Sequence, residues 1–145
     1  MGQNSVRKKR TPKPKKWYGC HFTQRGELFV ADSARHPAKM AVGLAERIFT
    51  HGCERGYWKP GDLILDPMAG IFTTGIVGAT LGYKVVGVEL ERHFQELAAR
   101  NIESAELQGV PAGRMQVLGG DARELAQILL GGGQRDGCIT SPPFL

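Results

Sequence analysis

Apolar positions along the chain follow two alternating patterns, one helical and one strand-like. Between residues 36 and 57 they recur at steps of three and four, which predicts a helix with one apolar face. The residues of that face are Ala41, Leu44, Ala45, Ile48 and Phe49. Pro37 suits the first turn of this helix, where a missing N–H costs no hydrogen bond. Residues 63–65 then form a short apolar run that ends at Asp66, as is typical of a strand buried on both faces.

Three further strands follow, separated by helices. The strands are predicted at residues 84–88, 115–118 and 137–140, and the helices at residues 73–81, 91–107 and 122–130. Thr73 or Thr74 is expected to cap the first of these helices, and Gly82 to end it. Strands that alternate with helices are joined by right-handed crossovers, so the pattern predicts an α/β fold with a doubly wound, mostly parallel sheet.

Composition and charge divide the chain into one globular body and a basic N-terminal extension. The length of 145 residues suits a single domain, and no apolar run reaches the roughly 18 residues of a membrane span. Seven of the 19 Lys and Arg residues lie in residues 1–16, which contain no acid, so residues 17–145 carry twelve cations against fourteen acids. Cys20, Cys53 and Cys138 are too few for a disulfide framework or a four-thiolate zinc site, which favours a reducing, cytosolic setting.

The basic extension, residues 1–16, is predicted to be disordered, because its charge and its prolines, Pro12 and Pro14, prevent it from burying apolar surface. Two interpretations of it stay open. It binds nucleic-acid phosphates by releasing counterions, or it is a solubilising extension. Trp17 and Tyr18 either mark where the extension docks on the folded body or belong to the core.

Candidate chemistry lies where the predicted strands end. Ligands of doubly wound sheets bind outside the carboxyl ends of the strands. In this chain the strands lead into Asp66, Glu89, Asp121 and Ser141. Small residues in the loop at residues 66–75 let a ligand approach the backbone, and a carboxylate ending the second strand can accept hydrogen bonds from two ribose hydroxyls. The pattern therefore predicts a ligand that contains adenosine.

Two phosphate-binding motifs are excluded by their spelling. The dinucleotide fingerprint requires a glycine two positions after Gly70, where this chain has Phe72. Gly70 and Gly75 have the spacing of a Walker loop, but Ile76 and Val77 replace its lysine and hydroxyl residue. A pyrophosphate ligand is therefore not expected. The acidic rim of the loop suits a ligand with a cationic amino or sulfonium group.

Three segments, in this order, resemble the amino-group DNA methyltransferases that use S-adenosyl-L-methionine. The segments are DPMAG at residues 66–70 with the following Thr73 and Thr74, GVELE at residues 87–91, and TSPPF at residues 140–144. HPAK at residues 36–39 resembles the cofactor-side motif of that family. The resemblance runs from about Arg35 to the last residue. It implies a Rossmann-like methyltransferase fold, with residues 17–145 as its cofactor-binding part.

The resemblance implies a cofactor-binding role for eleven residues. They are His36, Pro37, Asp66, Pro67, Met68, Ala69, Gly70, Thr73, Thr74, Glu89 and Asp121. Asp66 and Gly70 would face the methionine part of S-adenosyl-L-methionine, and Thr73 and Thr74 would lie nearby. Glu89 would hold the ribose hydroxyls, and Asp121 would lie near the adenine.

The same resemblance implies a target-base site at Ser141, Pro142, Pro143 and Phe144. An exocyclic amine is a poor nucleophile, because its lone pair is delocalised into the ring. The Ser141 side chain and the Pro142 carbonyl would accept its two N–H bonds, and Phe144 would stack on a base rotated out of double-stranded DNA. Orientation and placed dipoles would supply the catalysis, with no covalent intermediate and no metal. The implied product is N4-methylcytosine or N6-methyladenine, and the serine tilts the resemblance towards cytosine.

Two departures from the family and two rival functions complete the expectation. Phe72 replaces a usual glycine, so a bulky side chain is expected to enter the cofactor loop. Family members continue beyond the position of Leu145, so the sheet is expected to be incomplete, its last strand paired by a second chain or by self-association.

The rivals are an N-methyltransferase acting on RNA or protein glutamine, and an inactive remnant that binds cofactor or DNA. The expected location is the nucleoid or cytoplasm of a prokaryotic or phage-infected cell, with no membrane partner.

Overall fold

The computed structural model describes residues 16–21, 26–37, 39–131 and 133–142. Its α-helices are α1 (Val42–Glu54), α2 (Thr73–Thr80), α3 (Arg92–Leu107) and α4 (Leu125–Ile128). Its strands are β1 (Leu63–Asp66), β2 (Lys84–Glu89), β3 (Met115–Gly119) and β4 (Gly137–Cys138). Short 3₁₀ helices span Gly26–Leu28, Ala31–Arg35 and Ala122–Glu124. No helix of this described part is long and apolar enough to cross a bilayer.

The four strands form one parallel sheet in the order β3-β2-β1-β4. From β1 the chain moves outward to β2 and β3 and then returns to the other side of β1, which places a switch of strand order between β1 and β4. In the register, Asp66 pairs with Gly87 and Glu89 pairs with Gly119. The carboxyl ends of the central strands therefore lie side by side, as the predicted doubly wound sheet requires.

The start of α1 corrects the sequence prediction. The helix begins at Val42, and His36 and Pro37 precede it in a turn after the second 3₁₀ helix. A residue before proline is pushed out of the helical region, and His36 is extended, with φ −64° and ψ 124°. The Lys39 ammonium donates to the carbonyl oxygens of Ala34 and His36, each at 2.9 Å, and holds this turn.

The start of α2 also differs from the prediction. Neither threonine caps it: Phe72 occupies the N-cap position in the left-handed region, with φ 66° and ψ 39°. Thr73 and Thr74 are the first residues of the helix and are both buried. Gly82, with φ 93°, follows the end of the helix as expected.

The remaining boundaries fall close to the prediction, except near the C-terminal end of the chain. The helix expected at residues 122–130 is divided into a 3₁₀ turn and the short α4, and β4 covers two residues instead of four. The core is formed mainly by apolar side chains from α1, α2, α3 and the sheet. Phe49, Phe72, Ile64, Ile76 and Val88 are completely buried in it.

Of the two aromatic residues after the basic extension, Trp17 lies on α1. The Trp17 ring centroid lies 5.0 Å from that of His51, and the Arg47 guanidinium lies 5.5 Å from the Trp17 centroid. Trp17 is half-buried there, whereas 84% of Tyr18 is exposed. Trp17 therefore docks on a helix surface and Tyr18 is not a core residue. The prediction of a disordered extension falls, apart from Lys16, outside the described residues.

Candidate active site

A cavity of about 430 Å³ lies at the carboxyl ends of the strands. Its volume is within the range of roughly 300–1,000 Å³ that is usual for small-molecule sites. The lining comes from the turn before α1, the loop between β1 and α2, the end of β2 with the start of α3, the segment after β3, and the segment after β4. The cavity therefore lies where a doubly wound sheet binds its ligands.

The structure places all eleven predicted cofactor-binding residues in the lining of this cavity. Ser141 lines it as well, whereas Pro142 is exposed and is not part of the lining. Pro143 and Phe144 lie outside the described residues. Asp66, Glu89 and Ser141 thus meet at one cavity, although their individual roles stay predictions.

Glu89 ties two parts of the cavity wall together. Its Oε2 accepts a hydrogen bond from the backbone N–H of Gly70 at 2.7 Å, and its Oε1 accepts one from the N–H of Glu91 at 2.9 Å. The side chain is 8% exposed. Each carboxylate oxygen has two lone-pair sites, so each keeps one for a ligand. The carboxylate is therefore fixed by the backbone and can still accept bonds from two hydroxyls.

Asp66 is a buried carboxyl at the end of β1. Burial raises its pKa above the ordinary value of 3.8, and the nearby Glu89 carboxylate raises it further. Hydrogen bonds from the Thr74 and Thr140 side chains and from the Met68 N–H, at 3.2 Å, oppose this shift. Burial thus makes the ionised form of Asp66 costly, and a cation placed beside it would lower its pKa.

Replacing Asp66 by asparagine is expected to stabilise the fold at neutral pH. Because the folded state raises the pKa of Asp66, the stability of the native chain falls as pH rises from 3.8 through that raised pKa. Asparagine keeps an acceptor for Met68 but carries no charge to bury. Urea unfolding from pH 3.5 to 8 should give D66N the higher midpoint at pH 7, with the difference shrinking towards acid pH. The control E103Q, at the exposed Glu103 of α3, should change neither the midpoint at pH 7 nor its dependence on pH. A D66N midpoint below that of the native chain would contradict this account.

Asp121 caps the 3₁₀ helix that follows β3. It accepts the Arg123 N–H at 2.9 Å and forms a bidentate ion pair with the Arg123 guanidinium. Side-chain hydrogen bonding to Arg123 lowers the pKa of Asp121 to about 2. Asp121 therefore both caps the 3₁₀ helix and lines the cavity.

His36 covers the glycine loop from the opposite wall. Gly70 has φ +55°, and a Cβ at that position would lie 3.3 Å from His36 Nε2. The His36 ring also meets the ring of Phe94 edge-on, with 4.2 Å between centroids. Gly70 thus gives both a left-handed turn and a close approach that a larger residue would obstruct.

Sequence reasoning missed part of the lining. The additional residues are Lys39, Met40, Ile71, Leu90, Glu91, Phe94, Gly120 and Ala122. Most of them lie one to three positions from a predicted residue, so the neighbourhood of each strand end was the usable signal. The spacing of Phe94 is that of the inner face of α3, yet its side chain is half-buried and lines the cavity.

The expectation for Phe72 is wrong. Its side chain is completely buried and does not line the cavity. Its ring points into the core, where Cβ atoms added at Gly75 and Gly87 would lie 2.3 and 2.5 Å from ring carbons. These two glycines leave the space that the ring fills, so the loop gains a core anchor and the cavity stays open.

The parallel sheet and the acidic cavity at its strand ends define a Rossmann-like methyltransferase fold. A family model described as DNA methylase matches residues 3–100, which is more than half of the chain. The chain belongs to the N6/N4 amino-methyltransferase family of DNA methylases. This confirms the predicted family, the predicted fold class, and S-adenosyl-L-methionine as the cofactor of that family.

Individual relatives agree with the family assignment. The chain is 33% identical over 94 residues to the type II methyltransferase M2.DpnII of Streptococcus pneumoniae, a match covering 65% of this chain and 28% of that protein. It is 34% identical over 70 residues to the DNA adenine methyltransferase YhdJ of Escherichia coli, covering 48% and 22%. The chain spans about a quarter of the length of these relatives.

A solved structure shares the fold. The O-methyltransferase from Bacillus cereus, in a complex with S-adenosylhomocysteine, superposes with a TM-score of 0.58 at 20% identity. The match covers 74% of this chain and 48% of that one. At this identity the likeness concerns the arrangement of strands and helices.

Proposed function

We propose that this chain binds S-adenosyl-L-methionine in the cavity at the strand ends and serves methyl transfer to an exocyclic base amine of double-stranded DNA. The observation that carries the proposal is the convergence of Asp66, Glu89, Asp121 and Ser141 on one cavity. Membership of the DNA methylase family supports methyl transfer as the reaction, and the position of the cavity at the strand ends supports it as the cofactor site. The two relatives described above are a type II methyltransferase and a DNA adenine methyltransferase, which supports DNA as the substrate.

The residues of the cavity fit the parts of this cofactor. Glu89 has free acceptor capacity for the ribose hydroxyls, because its backbone partners use one site on each oxygen. Asp66 offers a buried negative charge to the cationic amino or sulfonium group. Gly70, without a Cβ, leaves the loop backbone open towards the ligand. We assign these three residues to cofactor binding and orientation.

The target amine would be held by the segment after β4. When bound beside Asp66 and Glu89, S-adenosyl-L-methionine would supply an electrophilic methyl group: the amine nitrogen would bond to the methyl carbon as the carbon–sulfur bond breaks, S-adenosylhomocysteine would leave, and one amine proton would pass to solvent. Ser141 accepts one N–H bond of the amine through its side chain and turns the nitrogen lone pair towards the cavity. In our proposal the carbonyl of the exposed Pro142 accepts the second bond, and Phe144 stacks on the base. The chain thereby contributes orientation and fixed dipoles.

The proposal is tested in two steps. Calorimetry of the whole chain with S-adenosylhomocysteine tests the cavity, and methyl transfer to duplex DNA tests the reaction. Nucleoside analysis of the product distinguishes N6-methyladenine, which agrees with the name of the Escherichia coli relative, from N4-methylcytosine, towards which Ser141 tilts the resemblance. Binding without methyl transfer would support the inactive remnant. Methylation of RNA or protein, without methylation of DNA, would support the N-methyltransferase that acts on RNA or protein glutamine. No binding would overturn the proposal.

Ser141→Ala is expected to lower turnover about two- to tenfold and to leave S-adenosylhomocysteine affinity within about twofold. The hydroxyl orients the target amine in this proposal, and one hydrogen bond to a neutral group is worth about 0.5–1.5 kcal/mol. Single-turnover methylation and calorimetry measure the two quantities. C138S, at the exposed Cys138 three residues before Ser141, is the matched control and should retain both the turnover and the affinity. A parallel loss of affinity in S141A would place Ser141 in the cofactor site instead.

A further inference from the structure

Asn101 is a completely buried polar side chain in the middle of α3. Its Oδ1 accepts hydrogen bonds from the Val30 backbone N–H and from the Ser33 hydroxyl, both at 2.9 Å. Its Nδ2 donates to the carbonyl oxygen of Ile71 at 2.8 Å. These partners are 30 to 71 residues away in the sequence, so Asn101 connects distant parts of the chain. It is not part of the cavity lining.

The segments that Asn101 joins are two walls of the cavity. Ser33 lies in the 3₁₀ helix that leads directly into His36 and Pro37 on one wall. Ile71 follows Gly70 in the loop between β1 and α2, on the other wall. The walls meet where His36 Nε2 approaches Gly70. Asn101 therefore hydrogen-bonds to the segment of each wall without lining the cavity itself.

Two exposed contacts attach the first wall to α3 independently of the second. Arg100 pairs with Asp32 at 3.2 Å, and the Ser104 hydroxyl donates to the Glu27 carbonyl oxygen at 2.7 Å. An exposed ion pair contributes little, whereas a buried amide with fixed partners has no competing water. Among these contacts, Asn101 is the one that reaches both walls.

We infer that Asn101 is a positioning residue of the cofactor site, which sets the distance between the His36 wall and the glycine loop. The inference rests on the proposed function, since it takes this cavity as the cofactor site. Removing the amide leaves the Val30 N–H and the Ile71 carbonyl without their buried partner, so both walls must move to find new ones. A ligand held between the walls then loses contacts that Asn101 itself never makes.

The test compares N101A and S33A with M115A in the whole chain. S33A removes one partner of Asn101 on the His36 wall and keeps the rest, so it serves where N101A folds poorly. Met115 is buried at the first residue of β3, at the end of the strand away from the cavity, so M115A loses core packing without touching either wall. Calorimetry with S-adenosylhomocysteine gives the affinity, and NMR of the His36 ring reports the wall in the absence of ligand.

N101A is expected to raise the dissociation constant about tenfold, and S33A to raise it less. Both should shift the His36 ring signals in the ligand-free chain, whereas M115A should leave affinity and signals at native values. An equal loss of affinity in M115A, or unchanged His36 signals in N101A and S33A, would overturn the inference. If the native chain binds no S-adenosylhomocysteine, the proposed function fails. The His36 signals alone then decide whether Asn101 positions the His36 wall.

Discussion

Phe72→Ala is expected to destabilise the chain by about 3–5 kcal/mol, the usual cost of removing a buried phenylalanine ring. The ring is completely buried, and alanine would keep the left-handed backbone of Phe72 while leaving the space beneath α2 empty. Urea or thermal unfolding measures the change. Since domains are stable by roughly 5–15 kcal/mol, F72L is the variant to use if F72A unfolds at 25 °C. Y57A, which truncates an aromatic ring that is 62% exposed, should cost under about 1 kcal/mol.

A substitution at Gly75 tests whether the effect of F72A comes from packing between the Phe72 ring and α2. In the native chain, Gly75→Ala places a Cβ 2.3 Å from the Phe72 ring, and such overpacking costs about 1–3 kcal/mol. In the F72A background the space is free, and alanine favours the helix over glycine by about 1 kcal/mol. The same substitution should therefore destabilise one chain and stabilise the other. Equal effects in both backgrounds would show that Phe72 and Gly75 are not coupled.

Local sequence patterns were sufficient to predict the sheet and the position of the cavity. Short apolar runs that end in an acidic residue identify β1 and β2, because a buried parallel strand is apolar throughout and its end meets the ligand. The same reasoning placed Asp66, Glu89 and Ser141 at neighbouring strand ends. Periodicity also gave α3 to within one residue at its start.

Features that depend on distant residues could not be predicted in this way. A phenylalanine in the left-handed region is unfavourable by itself, and it is accommodated here because Gly75 and Gly87 leave room for its ring. Asn101 looks like a polar interruption of an apolar helix face, since its partners lie in segments far away in the sequence. The start of α1 was different: its local signal, the restriction of the residue before Pro37, was available and was outweighed by periodicity.

Glu89→Ala is expected to weaken the binding of S-adenosylhomocysteine by about 3 kcal/mol, which is a factor of more than one hundred. Hydrogen bonds to a charged group contribute about 1.5–3 kcal/mol each. In the proposed complex, E89A removes the two bonds that the ribose hydroxyls donate to the carboxylate. The variant also removes the acceptor of the Gly70 N–H, so the glycine loop loses its attachment to β2. Calorimetry at one pH and salt concentration measures the loss. E91Q, which neutralises the exposed neighbouring carboxylate on the same lining, is the matched control and should change affinity less than fivefold.

A change of ligand separates the ribose contact from the loop contact of Glu89. The 2′-deoxy analogue of S-adenosylhomocysteine lacks one of the two hydroxyls, so the native chain should bind it more weakly than the parent compound. E89A has no carboxylate to receive that hydroxyl and should bind both compounds about equally. This non-additivity is the signature of a direct contact, whereas a Glu89 that acts through the Gly70 loop would leave the native preference intact in E89A. Native affinity of E89A for S-adenosylhomocysteine would remove Glu89 from the site altogether.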